Sequence, residues 1–167
     1  SYLRDIFVFA SFTALSFVDI KELSNDQIVE VNGEKWIISK RHKTGVPFQV
    51  KLLDIPLQII ERYKPFQENI LIFPNLNYWS VCKRMGKMIK ECGITKKISF
   101  HCARHGFATL ALCKGMPIES VSRILGHTNI ETTQIYAKIT IQKLDNDLTM
   151  LGDKLSKSFG NVKIAGI

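Results

Sequence analysis

Glycine and proline residues divide the chain after residue 54 into short segments with helical patterns. A proline is tolerated only in the first turn of a helix, so Pro65 ends one helix and Pro117 begins another. Gly93, Gly115 and Gly126 each follow a periodic run, as glycines do at helix ends. With the apolar first segment, the predicted helices cover residues 2–15, 54–64, 77–92, 99–114, 117–126, 131–139 and 141–155.

The stretch from residue 27 to residue 53 has a strand pattern instead. Residues 27–31 and 35–39 are rich in β-branched side chains and flank Asn32-Gly33, the strongest short signal for a hairpin. A second turn at residues 41–45 leads into a third apolar run at residues 46–53. We therefore predict an α+β fold that is mainly α-helical, with a small three-stranded antiparallel sheet near the N-terminus.

Ser16 and Asp19 have the spacing of a capping box, in which each side chain binds the other residue's backbone N–H. The pattern predicts a short helix that starts after Ser16 and runs through Leu23. Ser16 is therefore expected to be an N-cap residue.

The composition favours one folded domain with a polyanionic partner. A chain of 167 residues with 46% hydrophobic residues can bury a core, and a formal charge of +8 favours nucleic acid, although many soluble proteins are mildly basic. The longest apolar stretch, residues 6–15, is shorter than the roughly 20 residues of a membrane span. Four cysteines without a C-x-x-C pair indicate neither a zinc ribbon nor disulfides. No charged-then-apolar stretch with a cleavage site precedes the first apolar run, so we do not expect secretion. We expect a cytoplasmic protein that does not attach to membranes.

Three polar residues share one face of the helix predicted at residues 99–114. His101, Arg104 and His105 follow each other at the i, i+3 and i+4 positions. A forked guanidinium beside imidazoles suits a phosphate diester, because Arg donates two parallel hydrogen bonds. A solvated helix face is the plain alternative. Zinc ligation by His101 and His105 is another, although no Glu follows the first His and no third ligand is evident.

Three further residues could carry chemistry, and each has a plain alternative. His127 follows the helix-ending Gly126 and could point into a cleft. Tyr136 could be a nucleophile if cations or a base activate its hydroxyl, or it could be a half-buried aromatic. Lys43, at the second hairpin turn, could be a solvated turn residue.

In chain order, these residues resemble the tyrosine recombinase (phage integrase) family. Three phrases carry the resemblance: residues 104–109 (Arg-His-Gly-Phe-Ala-Thr), residues 124–127 (Ile-Leu-Gly-His) and residues 133–136 (Thr-Gln-Ile-Tyr). The chain looks most like integrases of bacterial mobile elements, including conjugative transposons. The resemblance extends from Phe7 to about Leu151 and implies a tyrosine-recombinase catalytic domain at residues 1–155. It also implies a fragment that lacks the upstream DNA-binding domain, with a C-terminal tail at residues 156–167.

The resemblance implies site-specific recombination or integration through a 3′-phosphotyrosyl intermediate, without a metal or other cofactor. Tyr136 is the implied nucleophile, and Arg104 and His127 would bind the non-bridging phosphate oxygens. Lys43 would protonate the leaving 5′-oxygen, and His101 would assist proton transfer. His105 is given a supporting role.

One position departs from the family pattern. Ser16 stands where the first catalytic arginine is expected, and Asp19 remains as an acid that supports the site. The loss of such a donor costs about 10²–10³ in rate unless another cation replaces it. Arg41 is a candidate because it shares a turn with Lys43, and Arg4 is a weaker one. A Ser16→Arg change could restore the missing group.

The implied partner is double-stranded DNA, bound by a tetramer whose C-terminal helices are exchanged between protomers. Ile139, Ile141 and the leucines of the last predicted helix form the apolar edge expected to make that contact, or else to complete the chain's own core. The resemblance also allows accessory DNA-bending proteins as further partners. Two rivals remain: a non-catalytic helix-turn-helix-like DNA-binding module at residues 117–136, and a type IB topoisomerase-like enzyme.

Overall fold

The computed structural model describes residues 1–66, 70–137 and 141–159, with only the backbone described for residues 141–143 and 159. Its helices are α1 (Tyr2–Thr13), α2 (Phe17–Lys21), α3 (Asp54–Tyr63), α4 (Tyr78–Glu91), α5 (His101–Cys113), α6 (Ile118–Leu125), α7 (Glu131–Gln134) and α8 (Ile141–Phe159). Its strands are β1 (Ile28–Val31), β2 (Glu34–Lys40) and β3 (Pro47–Lys51). The predicted α+β, mainly helical fold is confirmed.

The sheet is an antiparallel meander in the order β1-β2-β3. Val31 pairs with Glu34 across the first turn, and Asn32 and Gly33 both have positive φ, at 53° and 77°. Two successive positive φ angles define the turn that matches the twist of a two-residue hairpin. The Asn-Gly prediction is therefore confirmed, and the pairing register follows from it.

The predicted capping box at α2 is also confirmed. The Ser16 hydroxyl accepts a hydrogen bond from the Asp19 N–H at 3.3 Å, and the Asp19 carboxylate accepts one from the Ser16 N–H at 3.1 Å. The helix preceding it ends two residues earlier than predicted, because Ala14 takes a left-handed conformation with φ of 58°. This sharp turn after α1 brings Ser16 and α2 to the edge of the cleft described below.

We expect Ser16→Ala to lower the free energy of unfolding by about 0.5–2 kcal/mol, the usual cost of losing an N-cap side chain. Thermal unfolding of the two proteins followed by circular dichroism measures the change. The DNA cleavage that the sequence predicts should be little affected. A folded Ser16→Ala protein that binds DNA normally but no longer cleaves it would make Ser16 a catalytic residue and contradict the capping role.

Two sequence-based boundaries are wrong near the C-terminus. The helix predicted at residues 131–139 is a single turn, α7, which ends at Gln134. The last helix continues to Phe159, four residues beyond its predicted end at residue 155. Residue 139 and residues 160–167 lie outside the described part of the chain.

The chain forms two compact units, Ser1–Tyr136 and Ala137–Ile167. In the first unit, α1 is buried along Ile6 and Phe9 and packs against α3 and α5, while α6 packs against β3. On α5 the buried side chains are Ala103, Ala108 and Leu112, whereas Leu110 is 55% exposed. In the described residues, no helix is both long enough and apolar enough to cross a membrane.

Candidate active site

A cleft of about 590 Å³ opens in the first unit where α2, α5 and the β2–β3 turn meet. It brings together six of the eight residues singled out from the sequence, although they are far apart in the chain. They are Ser16, Asp19, Lys43, His101, Arg104 and His127. The other two, His105 and Tyr136, contact each other beside it, with ring centroids 5.1 Å apart.

Arg41 is buried in the wall of this cleft, with 6% of its surface exposed. Its guanidinium donates a hydrogen bond to Asp19 Oδ2 at 2.7 Å and another to the Ile124 carbonyl, and it lies 4.0 Å above the Phe48 ring. The Ser16 hydroxyl also binds Asp19 Oδ2, at 2.8 Å. Arg41 and Ser16 thus share one carboxylate oxygen, so the guanidinium lies next to Ser16, the position where the resemblance predicts an arginine.

Arg104 reaches the same region from α5. Its guanidinium donates hydrogen bonds to the Ala14 carbonyl at 2.9 Å and to the Leu125 carbonyl. These carbonyls follow α1 and end α6, so Arg104 is fixed by backbone on both sides. Such anchoring holds a donor in place before any ligand arrives.

The two arginines repel each other. Burial and the positive charge of Arg41 lower the pKa of Arg104 to about 10. Burial would raise the pKa of Asp19, but hydrogen bonds from the His42 N–H and Arg41 lower it, so this carboxyl is ionised. Among the described residues, Asp19 is the acid that pairs with Arg41, and Arg104 has no ion pair. The cleft therefore carries an excess of buried positive charge.

His127 follows α6, where Gly126 turns the chain with φ of 63°. Its Nδ1 lies 2.9 Å from the hydroxyl of Thr133, which is fully buried. Burial and the charges of Arg104 and Arg41 lower the pKa of His127, so the imidazole is neutral near pH 7. Thr133 therefore orients the ring and leaves Nε2 available to the cleft.

His101 and His105 project from one face of α5, with ring centroids 4.3 Å apart. Burial, followed by the charges of His105 and Arg104, lowers the pKa of His101. Burial raises the pKa of Tyr136, and the charge of Arg104 opposes this rise. The phenol is therefore protonated at neutral pH and needs a proton acceptor in order to react. The described residues contain no group of three or more side chains that could hold a metal ion, around these histidines or elsewhere.

Lys43 is exposed at the β2–β3 turn. The turn is closed by backbone hydrogen bonds from Arg41 N–H to Val46 and from Gly45 N–H to Arg41, at 2.8 and 2.7 Å. Because the His42 N–H also binds Asp19 Oδ1 at 3.1 Å, the base of the turn is attached to α2. The turn is thus anchored to α2 where it begins, and it presents the Lys43 ammonium to the cleft.

Gly126 lies against Arg41 so closely that a Cβ there would be 2.9 Å from Arg41 Cγ. Gly115 also has positive φ, 89°, but its surroundings are open. We expect Gly115→Ala to cost only the left-handed strain, about 1–2 kcal/mol. Gly126→Ala should cost more and should also weaken the DNA binding that the sequence predicts, because Arg41 must move. Thermal unfolding and DNA titrations of both variants measure these effects; equal losses in the two would contradict the role given to the contact.

Two residues that line or support the cleft were not found from the sequence. Thr133 lies in the phrase that ends at Tyr136, but nothing in its spacing connects it with His127. Tyr78 lines the cleft at the start of α4 and has its ring 5.3 Å from that of Phe17. Arg41 was a candidate only by proximity to Lys43, since an arginine in a turn is usually solvated.

The sequence profile described as the phage integrase family matches residues 2–143 of the chain. Tyrosine recombinase XerA of Thermococcus kodakarensis is 40% identical over 139 residues, which cover 75% of this chain and 48% of the relative. Tyrosine recombinase XerD of Listeria monocytogenes is 43% identical over 120 residues, which cover 67% of this chain and 39% of the relative. The chain thus spans less than half of either relative.

Solved structures share the fold at low identity. The XerH site-specific recombinase bound to a palindromic difH substrate, in a post-cleavage complex, matches with a TM-score of 0.70 and 22% identity, covering 90% of this chain and 46% of that one. The Tn1549 transposon integrase in complex with circular intermediate DNA matches with a TM-score of 0.67 and 17% identity, covering 88% and 57%.

Proposed function

The chain belongs to the phage integrase family, and on that premise we propose that it breaks and rejoins double-stranded DNA at specific sites. The tyrosine recombinases to which it is 40% and 43% identical support this activity. Its formal charge of +8 suits a polyanionic substrate.

The observation that carries the proposal is the excess of positive charge in the cleft. Arg41 and Arg104 are close enough to interact electrostatically, and the one carboxylate that acts on both of them is that of Asp19. Buried charges are costly unless they are paired, so this arrangement is stabilised by an anion that enters the cleft. A phosphate diester has the charge and the oxygen geometry that two guanidinium forks recognise.

In the proposed reaction, the Tyr136 oxygen attacks the scissile phosphorus and forms a 3′-phosphotyrosyl ester. The phenol proton passes to His101, or through His101 to water. The bond from phosphorus to the 5′-oxygen breaks, and Lys43 supplies a proton to that oxygen. Arg104 and His127 stabilise the charge on the non-bridging oxygens. Because the ester retains the energy of the broken bond, rejoining to another strand needs no ATP.

We assign to Arg41 the place of the missing first arginine. Its burial, its hydrogen bond to Asp19 Oδ2 and its proximity to Arg104 support this assignment. Arg4 does not support the alternative, because its guanidinium binds Asp5 on the same helix, at 2.9 Å. The side chain that completes the phosphate clamp would then come from β2–β3 rather than from α2.

The test is a selection for covalent adducts. Nicked duplexes with a randomised centre are incubated with the chain in excess EDTA, so that cleavage releases a short oligonucleotide and traps the protein on DNA. We expect adducts that resist denaturant, that share a sequence, and that form without metal because cationic side chains supply the charge. Adducts that require added Mg²⁺ or Zn²⁺ would favour metal-assisted cleavage instead.

The two rival functions give different results. A non-catalytic helix-turn-helix module would bind DNA without forming an adduct, and α7, with four residues, is short for a recognition helix. A topoisomerase-like enzyme would form adducts and relax supercoils without exchanging strands between sites. Strand exchange between two copies of the selected sequence distinguishes recombination from relaxation.

We extend the proposal to assembly through the last helix, α8. Leu144, Leu148, Leu151 and Leu155 are spaced for one face of the helix and are each about half exposed. Ile139 lies outside the described residues, and only the backbone of Ile141 is described. In this proposal the leucine face packs on a neighbouring protomer and links four protomers around DNA.

Truncation after Ile139 should therefore leave a folded protein that binds DNA but no longer pairs two sites. Unfolding is followed by circular dichroism, and assembly on DNA by sedimentation. Leu148→Asp is the matched point variant, because it places a charge in the same face without shortening the chain. Loss of folding in both variants would instead assign α8 to the chain's own core.

A further inference from the structure

His105 contacts two rings that the proposed reaction uses. Its imidazole is one helical turn from His101 on α5, with centroids 4.3 Å apart and planes at 85°. It also lies against Tyr136, with centroids 5.1 Å apart and planes at 58°. The family resemblance implied only an unspecified supporting role for His105, whereas the structure places its ring directly against that of Tyr136.

Few other contacts fix the orientation of the Tyr136 ring. The residue follows the single turn of α7, and its N–H binds the Thr133 carbonyl at 3.0 Å. Within the described part of the chain, its hydroxyl makes no hydrogen bond, and Arg104 acts on it only through charge. The phenol ring is half-buried rather than enclosed. Its direction is therefore sensitive to the ring beside it.

We propose that His105 is a positioning residue, whose ring packs against Tyr136 and aims the phenol oxygen at the scissile phosphorus. This inference rests on the proposed function. Aromatic rings at centroid distances of 4.5–7 Å attract each other and prefer tilted or edge-to-face geometry, as found here. Proton acceptance needs a nitrogen about 2.6–3.2 Å from the phenol oxygen, and the two side chains form no such hydrogen bond.

The effect on rate follows from the geometry of attack. A misplacement of about 1 Å at a reacting atom costs about 10²-fold in rate. Removing the His105 ring should therefore slow cleavage without changing DNA affinity, which depends mainly on Lys and Arg. A ring of similar shape that cannot accept a proton should preserve the rate.

The experiment measures single-turnover adduct formation on a nicked duplex selected as above, with the 167-residue chain at saturating concentration. His105→Ala is expected to be slowed about 10²-fold. His105→Phe should stay within about threefold of the unmodified chain and keep its pH profile, because packing rather than titration is the role. Thr109→Ala, one turn later on the same face and exposed, is the matched control and should react at the normal rate.

DNA affinity and the thermal midpoint are measured for each variant, so that misfolding is separated from misorientation. If His105→Ala fails to fold, the rate and pH profile of His105→Phe decide the question. A His105→Ala protein that reacts at the normal rate would overturn the inference. So would a His105→Phe protein that reacts slowly but recovers its rate at higher pH, because that result would assign proton transfer to His105. If the unmodified chain forms no adduct with any duplex, the proposed function itself fails.

Discussion

Replacing Tyr136 with phenylalanine abolishes the covalent adduct and leaves DNA affinity within about twofold, because affinity comes mainly from cations that neutralise phosphates. The hydroxyl is the attacking group in the proposed reaction, so its removal alone is enough to abolish the adduct completely. The ring contact with His105 is retained in this variant. Adduct yield is measured on denaturing gels, and affinity by fluorescence anisotropy with the same duplex.

The matched control for Tyr136→Phe is Tyr78→Phe, which removes another tyrosine hydroxyl from the cleft region. Tyr78 is 50% exposed, and its ring contact with Phe17 does not depend on the hydroxyl. We expect this control to form the adduct. Undiminished adduct from Tyr136→Phe, or loss in Tyr78→Phe alone, would move the nucleophile away from Tyr136.

The second large effect is expected at Arg41. Arg41→Met removes one arm of the phosphate clamp, and the loss of such a preorganised donor costs about 10²–10³ in rate. It also leaves Asp19 buried without its ion-pair partner, which costs about 3–5 kcal/mol of stability. Adduct formation and thermal unfolding are therefore both affected. Arg4→Met is the control, because Arg4 is exposed and binds Asp5 rather than the cleft.

A compensating change distinguishes a clamp from a merely structural arginine. Ser16 and Arg41 bind the same oxygen of Asp19, so a guanidinium at position 16 can pair with that oxygen once Arg41 is gone. We expect the double variant Ser16→Arg, Arg41→Met to recover at least about tenfold of the lost rate. Ser16→Arg alone should bring no gain, because a third guanidinium would share one carboxylate. A folded Arg41→Met protein with the normal rate would contradict the assignment.

The absence of a gain from Ser16→Arg alone differs from the result expected from the sequence. The sequence pattern identified Ser16 as the position of a missing arginine, so adding an arginine there promised a gain. In the proposed assignment, Arg41, which lies on another element, takes that place. Arg41 approaches Asp19 from 22 residues away along the chain, and its burial depends on α6, where the Ile124 carbonyl accepts its second hydrogen bond.

The sequence by itself determined the features that depend on a few neighbouring residues. Asn32-Gly33 specifies its turn because both residues accept positive φ, and Ser16 and Asp19 cap a helix because their side chains reach the backbone three residues away. The order of the short phrases around Arg104, His127 and Tyr136 identified the family, which the profile match confirms. These features survive in any fold that keeps the local chain intact.

Only the tertiary structure decided which side chains meet. The contact of His105 with Tyr136 and the close approach of Gly126 to Arg41 join separate elements, and no periodicity encodes them. The ends of α1 and α7 were also mispredicted, since Ala14 takes a left-handed conformation that alanine avoids in isolation. Arg104 contributes to that turn by donating to the Ala14 carbonyl. Packing can thus impose a backbone conformation that is locally unfavourable, because the tertiary contacts that stabilise it involve residues far away in the sequence.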